Sequence, residues 1–458
     1  MFSIFSEIWD IYKTAGGLII KPLWLIIKNW WWLFFPFLIK NRFLFFWKWW
    51  RFEAFLKNVF RPVLLEIKIP KDIVKPIRAM EDVMTSLHSI IYHPPDWWEE
   101  WIEGQFQTSL GLEIASIEGK IHFYIRIHEA YRDAVEAAIY SQYPEVEIVE
   151  VDDYTKLVPQ DIPNKEWEMW GTDYRFLKNK IEENALPILT YKKFETGQED
   201  VEEKKVDPIA ELVEALGRMG PGEHFWIQIA ATPVSEQEDS VKTVGFNWIE
   251  EGKKLRDKLA KRPVEEKKPY RPIILDAIDF LITGKVPEEP EKPEKEKFFL
   301  PPEMKLTPGE REIVAAIEEK ISKPGFYTNI RFIYLGKRKN FVKGKLRLGF
   351  TFFGSFYTHN LNALIPYGDT ITKIHRSWFL PINLFRARRL YLRKRKLFRN
   401  YVSRVHSYFP RPPKNVKFIL NTEELASIFH FPSWRIAPVP GVSWIEAKKK
   451  PPPELPEQ

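Results

Sequence analysis

Leu18 to Arg61 constrains this chain more than any other stretch: an apolar, aromatic-laden block followed by evenly scattered cations (LIIKPLWLIIKNWWWLFFPFLIKNRFLFFWKWWRFEAFLKNVFR). Between Leu18 and Ile39 the only polar interruptions are Lys21, Lys28 and Asn29. A spanning helix needs roughly 20 mostly apolar residues, so the length predicts one membrane helix. Lys21 is near enough to one end to snorkel, whereas Lys28 near the middle costs roughly 2.5–3.5 kcal/mol, which leaves a tilted or shallow insertion open. Trp30, Trp31 and Trp32, and then Trp47, Trp49 and Trp50, are amphipathic rings of the kind that collect at a membrane interface. The second cluster suits an interfacial helix. Lys40, Arg42, Lys48, Arg51, Lys57 and Arg61 follow the block against Glu53 alone, and this positive-inside bias places the bulk of the chain in the cytoplasm at the cell membrane. A cleaved signal peptide would want a basic start, a short apolar core and a small-residue cleavage site; none is present.

At 458 residues with 45% hydrophobic content, the chain has room for two or three domains with real cores. It has no cysteine, which excludes disulfides, thiolate metal sites and thiol chemistry. Beyond the anchor, Val63–Ile69 reads as a strand and Pro76–Ile91 as a helix, with Ile77, Met80, Val83, Met84, Leu87 and Ile91 at helical spacing. Two alternating runs, Thr108–Ile117 and Lys120–Ile127, meet at a Glu118-Gly119 hairpin. Glu129–Tyr140 is helical, and Glu145–Val151 returns as a strand. The order βαββαβ is that of a ferredoxin-like split motif. Further on, Asp207-Pro208 opens a helix that Gly220-Pro221-Gly222 ends, before a strand at His224–Ala230. Thr307-Pro308-Gly309-Glu310 is a capping box that leads a helix into Pro324-Gly325 and a strand at Phe326–Leu335. Val286–Pro302 is too charged and proline-rich to bury and reads as an exposed linker. The expected fold class is α+β: an N-terminal membrane helix, a ferredoxin-like βαββαβ domain and a second α/β sandwich domain. The expected segments are 1–62 (anchor), 63–160 (ferredoxin-like), 161–285 and 305–435 (second domain), 286–304 (linker) and 436–458 (disordered tail).

No glycine-rich loop is followed by Lys-Ser or Lys-Thr, which excludes a P-loop ATPase, and HExxH and GxSxG are absent as well. His88 and His93 have the wrong spacing for two ligands on one helical face. Glu99, Glu100 and Glu103 beside Trp97, Trp98 and Trp101 offer carboxylates among aromatics, yet one short run does not establish two facing groups; an amphipathic patch is the plainer reading. No cofactor is implied. The strongest signal outside the anchor is electrostatic. From Thr370 to Thr422 there is no Asp or Glu but fourteen Lys and Arg, including Arg386, Arg388, Arg389, Arg393, Lys394, Arg395, Lys396 and Arg399, with Tyr391, Phe398 and Tyr401 interleaved. Such a stretch fits an acidic protein partner, nucleic acid with base stacking, or anionic headgroups.

LLEIKIPKDIVKPIRAMEDVMTSLHSI (64–90), SIEGKIHFYIRIHEAYRDAVEAAIYSQYPEVEIVEVDDYT (116–155), DPIAELVEALGRMGPGEHFWIQI (207–229) and LNTEELASIFHFP (420–432) together resemble an uncharacterised membrane-protein family of uncultivated bacteria. That family is similar to the region N-terminal to conjugative coupling ATPases of type IV secretion systems. In fused relatives the last segment lies just ahead of the nucleotide-binding domain, whereas here the chain runs through a short proline-rich stretch without a motor. The resemblance implies a membrane-anchored, non-enzymatic accessory subunit working with a separate secretion-type ATPase, docked through helix Thr422–Phe429 with Glu423, Glu424, Leu425 and Phe429. Membrane lipid and DNA in transit are further partners on this reading. Two alternatives stay open: a membrane-tethered nucleic-acid-binding protein, and a membrane-associated enzyme on lipid or glycan with its site near Trp97–Trp101.

Overall fold

The structure, a computed structural model, describes residues 28, 40–70, 75–195, 207–235, 245–262, 306–374, 385–404 and 418–432. The chain divides into two compact units, Met1–Arg61 with Pro94–Phe106, and Pro62–His93 with Gln107–Gln458. In the first unit residues 40–58 form helix α1. Phe52, Phe55 and Phe60 close around Phe106, with ring centroids 4.8–5.8 Å apart. Trp47 Nε1 donates to the Trp101 carbonyl at 2.8 Å, and Lys48 pairs with Glu100 at 2.5 Å while lying 4.0 Å over the Trp101 ring. Gly104 is left-handed (φ +80°), and a Cβ there would stand 2.4 Å from the Arg51 carbonyl, so only glycine lets the turn reach the helix.

The anticipated span Leu18–Ile39 lies, except for Lys28, outside the described residues, as do Trp30, Trp31 and Trp32. Among the described residues no helix is long and apolar enough to cross a membrane, and the fold class is corrected accordingly. In α1 the reason is physical: Lys40, Arg42, Lys48, Arg51 and Lys57 put a cation on nearly every turn, each a cost in hydrocarbon.

Among the described residues the second unit has nine strands: β1 Pro62–Lys68, β2 Leu110–Ile117, β3 Lys120–His128, β4 Glu147–Glu150, β5 Trp167–Phe176, β6 Glu223–Val234, β7 Gly325–Lys337, β8 Leu364–Pro366 and β9 Phe418–Asn421. Its helices are α2 Ile77–Ile91, α3 Arg132–Gln142, α4 Tyr191–Glu195, α5 Pro208–Gly217, α6 Trp248–Leu259, α7 Pro308–Ile321, α8 Arg347–Gly354, α9 Arg386–Val402 and α10 Thr422–Ile428. The strands run in the spatial order β4-β1-β3-β2-β6-β7-β5-β8, with β9 also paired to β7, and every pairing is antiparallel. Glu118 and Gly119 both have positive φ (52° and 86°), which gives the β2–β3 hairpin the twist its strands need.

The expectation of a separate second domain is also corrected. β2 pairs with β6 from Leu110–Ala231 to Ile117–His224, so the βαββαβ half and the rest of the unit share one sheet. β6 and β7, expected on either side of a linker, pair from Glu223–Gly336 to Val234–Gly325. The proposed linker 286–304 and tail 436–458 lie outside the described residues. One sheet face buries Met84, Leu87, Val135, Ile139, Val213, Leu216, Phe353 and Leu425, from α2, α3, α5, α8 and α10. The other buries Leu64, Ala115, Trp226 and Ile333 beneath Tyr154, Val158, Ile162 and the α9 residues Leu397, Phe398 and Tyr401. Gly171 of β5 lets α9 come close: a Cβ there would lie 2.9 Å from Leu397 Cδ2.

Candidate functional site

Residues paired directly across strands point to the same sheet face. The register therefore lays Glu66, Tyr124, Glu113, Gln228, Arg331 and Asp173 in one row across β1, β3, β2, β6, β7 and β5, on the face beneath α9. Burying charges is expensive unless they are paired and hydrogen-bonded. Glu113 accepts from Tyr154 Oη (2.7 Å), Gln228 Nε2 (2.8 Å) and Arg404 Nε and Nη2 (3.1 and 3.2 Å). Tyr154 donates to Glu113, so at the 2.7 Å contact between the two phenols Tyr401 is the donor. Arg404 also grips Asp153.

Burial would raise the Glu113 carboxyl, but Arg404 with the Tyr154 and Gln228 hydrogen bonds outweighs it and holds the group below the ordinary range. Burial opposes the Arg404 charge in turn, and Glu113 and Asp153 more than offset it, keeping the guanidinium charged. Tyr154 and Tyr401 are pushed well above the usual phenol value, by burial first and by Glu113 next. With the carboxylate charged and the phenols neutral, nothing in this group exchanges a proton near pH 7. It clamps the residues that follow α9 to the sheet.

α9 itself has two faces, and the cations singled out in the sequence are divided between them. Arg386 donates to the Ile374 carbonyl from Nε (3.0 Å) and Nη2 (2.9 Å). Arg393 Nη1 reaches the carbonyls of Ile371 (2.9 Å), Lys373 (3.2 Å) and Gly368 (3.4 Å), and Lys394 pairs with Glu168 at 2.7 Å. These three serve the fold. At offsets of three, four, seven and eleven residues, Arg388, Tyr391, Leu392, Arg395 and Arg399 form an exposed stripe. Leu392 is 53% exposed, and Arg395 donates to Tyr391 Oη at 2.7 Å. Arg389 and Lys396 are exposed beside this stripe.

Helix α10, the expected docking element, is buried throughout, so Glu423, Glu424, Leu425 and Phe429 offer no surface to a partner. Glu424 accepts from the backbone of Asn421 (2.9 Å) and Ile188 (2.8 Å) and pairs with the fully buried Lys320 at 3.0 Å. Glu423 pairs with Lys323 and Lys192. Leu425 and Phe429 belong to the core beneath α2 and α3. His430 directs Nδ1 at the Ala426 carbonyl and Nε2 at Asp207 Oδ1, both at 2.9 Å. Two acceptors require both nitrogens to donate, so His430 is an imidazolium bound to the carboxylate that caps α5.

In the first unit Phe43, Phe46, Trp50, Trp97 and Trp98 are exposed, Phe46 and Trp97 each to 66%. Trp47 and Trp49 are half-buried. The acids near them are locally engaged: Glu99 and Asp96 bond each other's backbone, Glu100 holds Lys48 and Glu103 accepts from Gln105. His88 donates to the Val234 carbonyl inside the core.

The row beneath α9 went unread in the sequence, although its signal is present there: a lone charged or amide residue interrupts an apolar run, as in LGLEIASI, FWIQIA and IRFIYL. No curated protein matches this chain. The profile of a family described as a domain of unknown function (DUF8128) matches residues 53–440, from within α1 through all nine strands and beyond α10. With most of its length matched, the chain belongs to that family, DUF8128.

Proposed function

We propose that this protein is a non-enzymatic accessory subunit of a conjugation-like secretion machine, attached peripherally at a membrane surface and gripping an acidic face of a separate ATPase with α9. The observation that carries this reading is the division of the basic helix. Arg386, Arg393 and Lys394 are consumed by carbonyls and Glu168, while Arg388, Arg395 and Arg399 stay on the surface with Tyr391 and Leu392 between them. A fixed helix carrying cations beside an aromatic and an aliphatic side chain is suited to recognising a protein surface: arginine and aromatic groups dominate such contacts, and charge complementarity steers encounter. The exposed Phe43, Phe46 and Trp50, at offsets of three and seven on α1 among cations, support attachment to anionic headgroups. The secretion context rests on the sequence resemblance.

The test is affinity purification of tagged protein from native membranes, comparing wild type with Arg388→Glu/Arg395→Glu. Arg393 is left unchanged in this variant because it supports the fold. Recovery of a secretion-type ATPase with wild type and its loss from the variant is the expected result. Unchanged company in the variant would remove the role of α9. Co-eluting nucleic acid whose affinity falls with salt at a log–log slope of about −0.7 to −0.9 per phosphate would replace the protein partner with nucleic acid.

A further inference from the structure

Arg331 is 1% exposed in the centre of β7, yet its Nε and Nη1 are buried without a hydrogen bond. Its Nε stands 3.1 Å from Asp173 Oδ1, close enough for charge attraction but outside hydrogen-bond geometry. Two residues away on the same face, Asn329 is 4% exposed and its Oδ1 is likewise without a partner. On the neighbouring strand, two residues beyond Asp173, Arg175 buries an unpaired Nε while its guanidinium lies 5.7 Å from the Tyr367 ring. A buried guanidinium in this condition costs several kcal/mol unless something meets it. The floor beside these groups is low. Ala230 faces Asn329 across β6 and Gly111 faces Ala230 across β2, with Arg126 beyond Gly111 on β3. Ala230 is only half-buried, and the nearest atoms that a Cβ on Gly111 would meet all belong to Arg126. Arg126, Arg175, Arg331 and Arg404 on this face are matched in number by Glu66, Glu113, Asp153 and Asp173.

We infer that Arg331, Asn329 and Arg175 form a binding site for the phosphoryl group of a small soluble molecule, whose remainder lies over Gly111 and Ala230 toward Arg126. Alternate residues of a strand are about 6.7 Å apart and adjacent strands about 4.8 Å, so the three side chains reach one oxyanion. The guanidinium fork matches a phosphoryl group in two-point contact. The Asn329 amide presents a donor when its oxygen and nitrogen are interchanged. The site is separate from the outer stripe of α9 and does not rest on the proposed function.

The experiment follows thermal unfolding of the full chain in sodium phosphate, acetate and chloride at matched ionic strength, with calorimetric titration of inorganic phosphate. A saturable rise of the midpoint with phosphate, absent with acetate, is expected. Arg331→Met should abolish that rise, and its midpoint in chloride should fall below wild type because the buried Asp173 loses its ion-pair partner. If that variant fails to fold, Arg175→Met reads the same loss, and Asn329→Ala should weaken phosphate about tenfold, one lost hydrogen bond. Arg388→Glu/Arg395→Glu should retain the full response. No phosphate-specific shift in wild type, or a shift that survives in both Arg331→Met and Arg175→Met, overturns the site. Binding to phosphatidate vesicles that free phosphate does not displace overturns the soluble ligand in favour of a lipid headgroup.

Discussion

Arg404 and Glu113 carry the largest single-residue consequence, because both are buried and each helps to keep the other charged. Arg404→Met leaves Glu113 and Asp153 uncompensated and should destabilise the protein by about 3–5 kcal/mol, whereas adding Glu113→Gln should recover part of the loss. A double-mutant cycle by denaturant unfolding measures the coupling; additive effects would show that the clamp contributes nothing as a pair. His224 is a second point of leverage. It stacks on Trp167 in the interior, its Nδ1 has no partner, and burial lowers its pKa to about 4. Above pH 6.5 the imidazole is neutral both folded and unfolded and stability is intact. As pH falls from 6.5 toward 4 the unfolded chain takes up the proton first, so stability declines by about 3 kcal/mol across that window. His224→Phe should flatten the decline, read from denaturation midpoints between pH 7 and pH 4. Glu113 and Asp207, both held below the ordinary carboxylate range, add losses of the same sign at lower pH. Neither Glu113 nor His224 stood out in the sequence, because an isolated Glu or His in an apolar strand gives no sign of its buried surroundings, which for Glu113 include a partner 291 positions away.

At the scale of elements, end signals were legible and faces were not. Asp207 caps α5 with Pro208 at its first turn, and Thr307–Glu310 and Asn421–Glu424 are reciprocal capping boxes; each lies within a few residues and depends on local chemistry alone. In α9 the two stripes are equally present in the sequence, but which of them points inward depends on Glu168 and on carbonyls of residues 368–374. Arg393→Ala should therefore loosen α9, raising its amide exchange and costing about 1.5–3 kcal/mol for its charged hydrogen bonds. Arg395→Ala should stay within about 0.5 kcal/mol of wild type. Equal effects from the two substitutions, measured by hydrogen exchange and thermal melting, would contradict the assignment of faces. The docking role read for α10 fails on the same ground: its acids look like a solvated face in sequence, yet Lys320, Lys323 and Lys192 converge on them from distant segments.

Taken whole, the second unit is one sheet whose halves complete each other. Phe429 and Phe431 from the far end of the chain pack edge-on against Phe123 of β3, and Phe431 also meets Tyr143 beyond α3. A fragment of residues 62–160 keeps four strands but exposes the β2 edge and loses α10 from its core, so it should aggregate or lack a cooperative transition. The full chain should show that sheet unfolding as one cooperative event in calorimetry; an independently folding fragment would restore a domain boundary near residue 160. By itself the sequence determined the positions of β1–β4, β6, β7, α2, α3, α5, α7 and α10, the caps of α5, α7 and α10, the hairpin at Glu118-Gly119 and the concentration of cations after Thr370, because periodicity, turn chemistry and charge are local properties; β5, β8, α4, α6, α8 and α9 were not read from it. Only the tertiary structure decided that β2 and β6 join two expected domains, that α10 is core, and that the basic helix spends Arg386, Arg393 and Lys394 on the fold. Those outcomes depend on register and on pairings between residues far apart in the chain, where a one-residue slip would send each side chain to the opposite face.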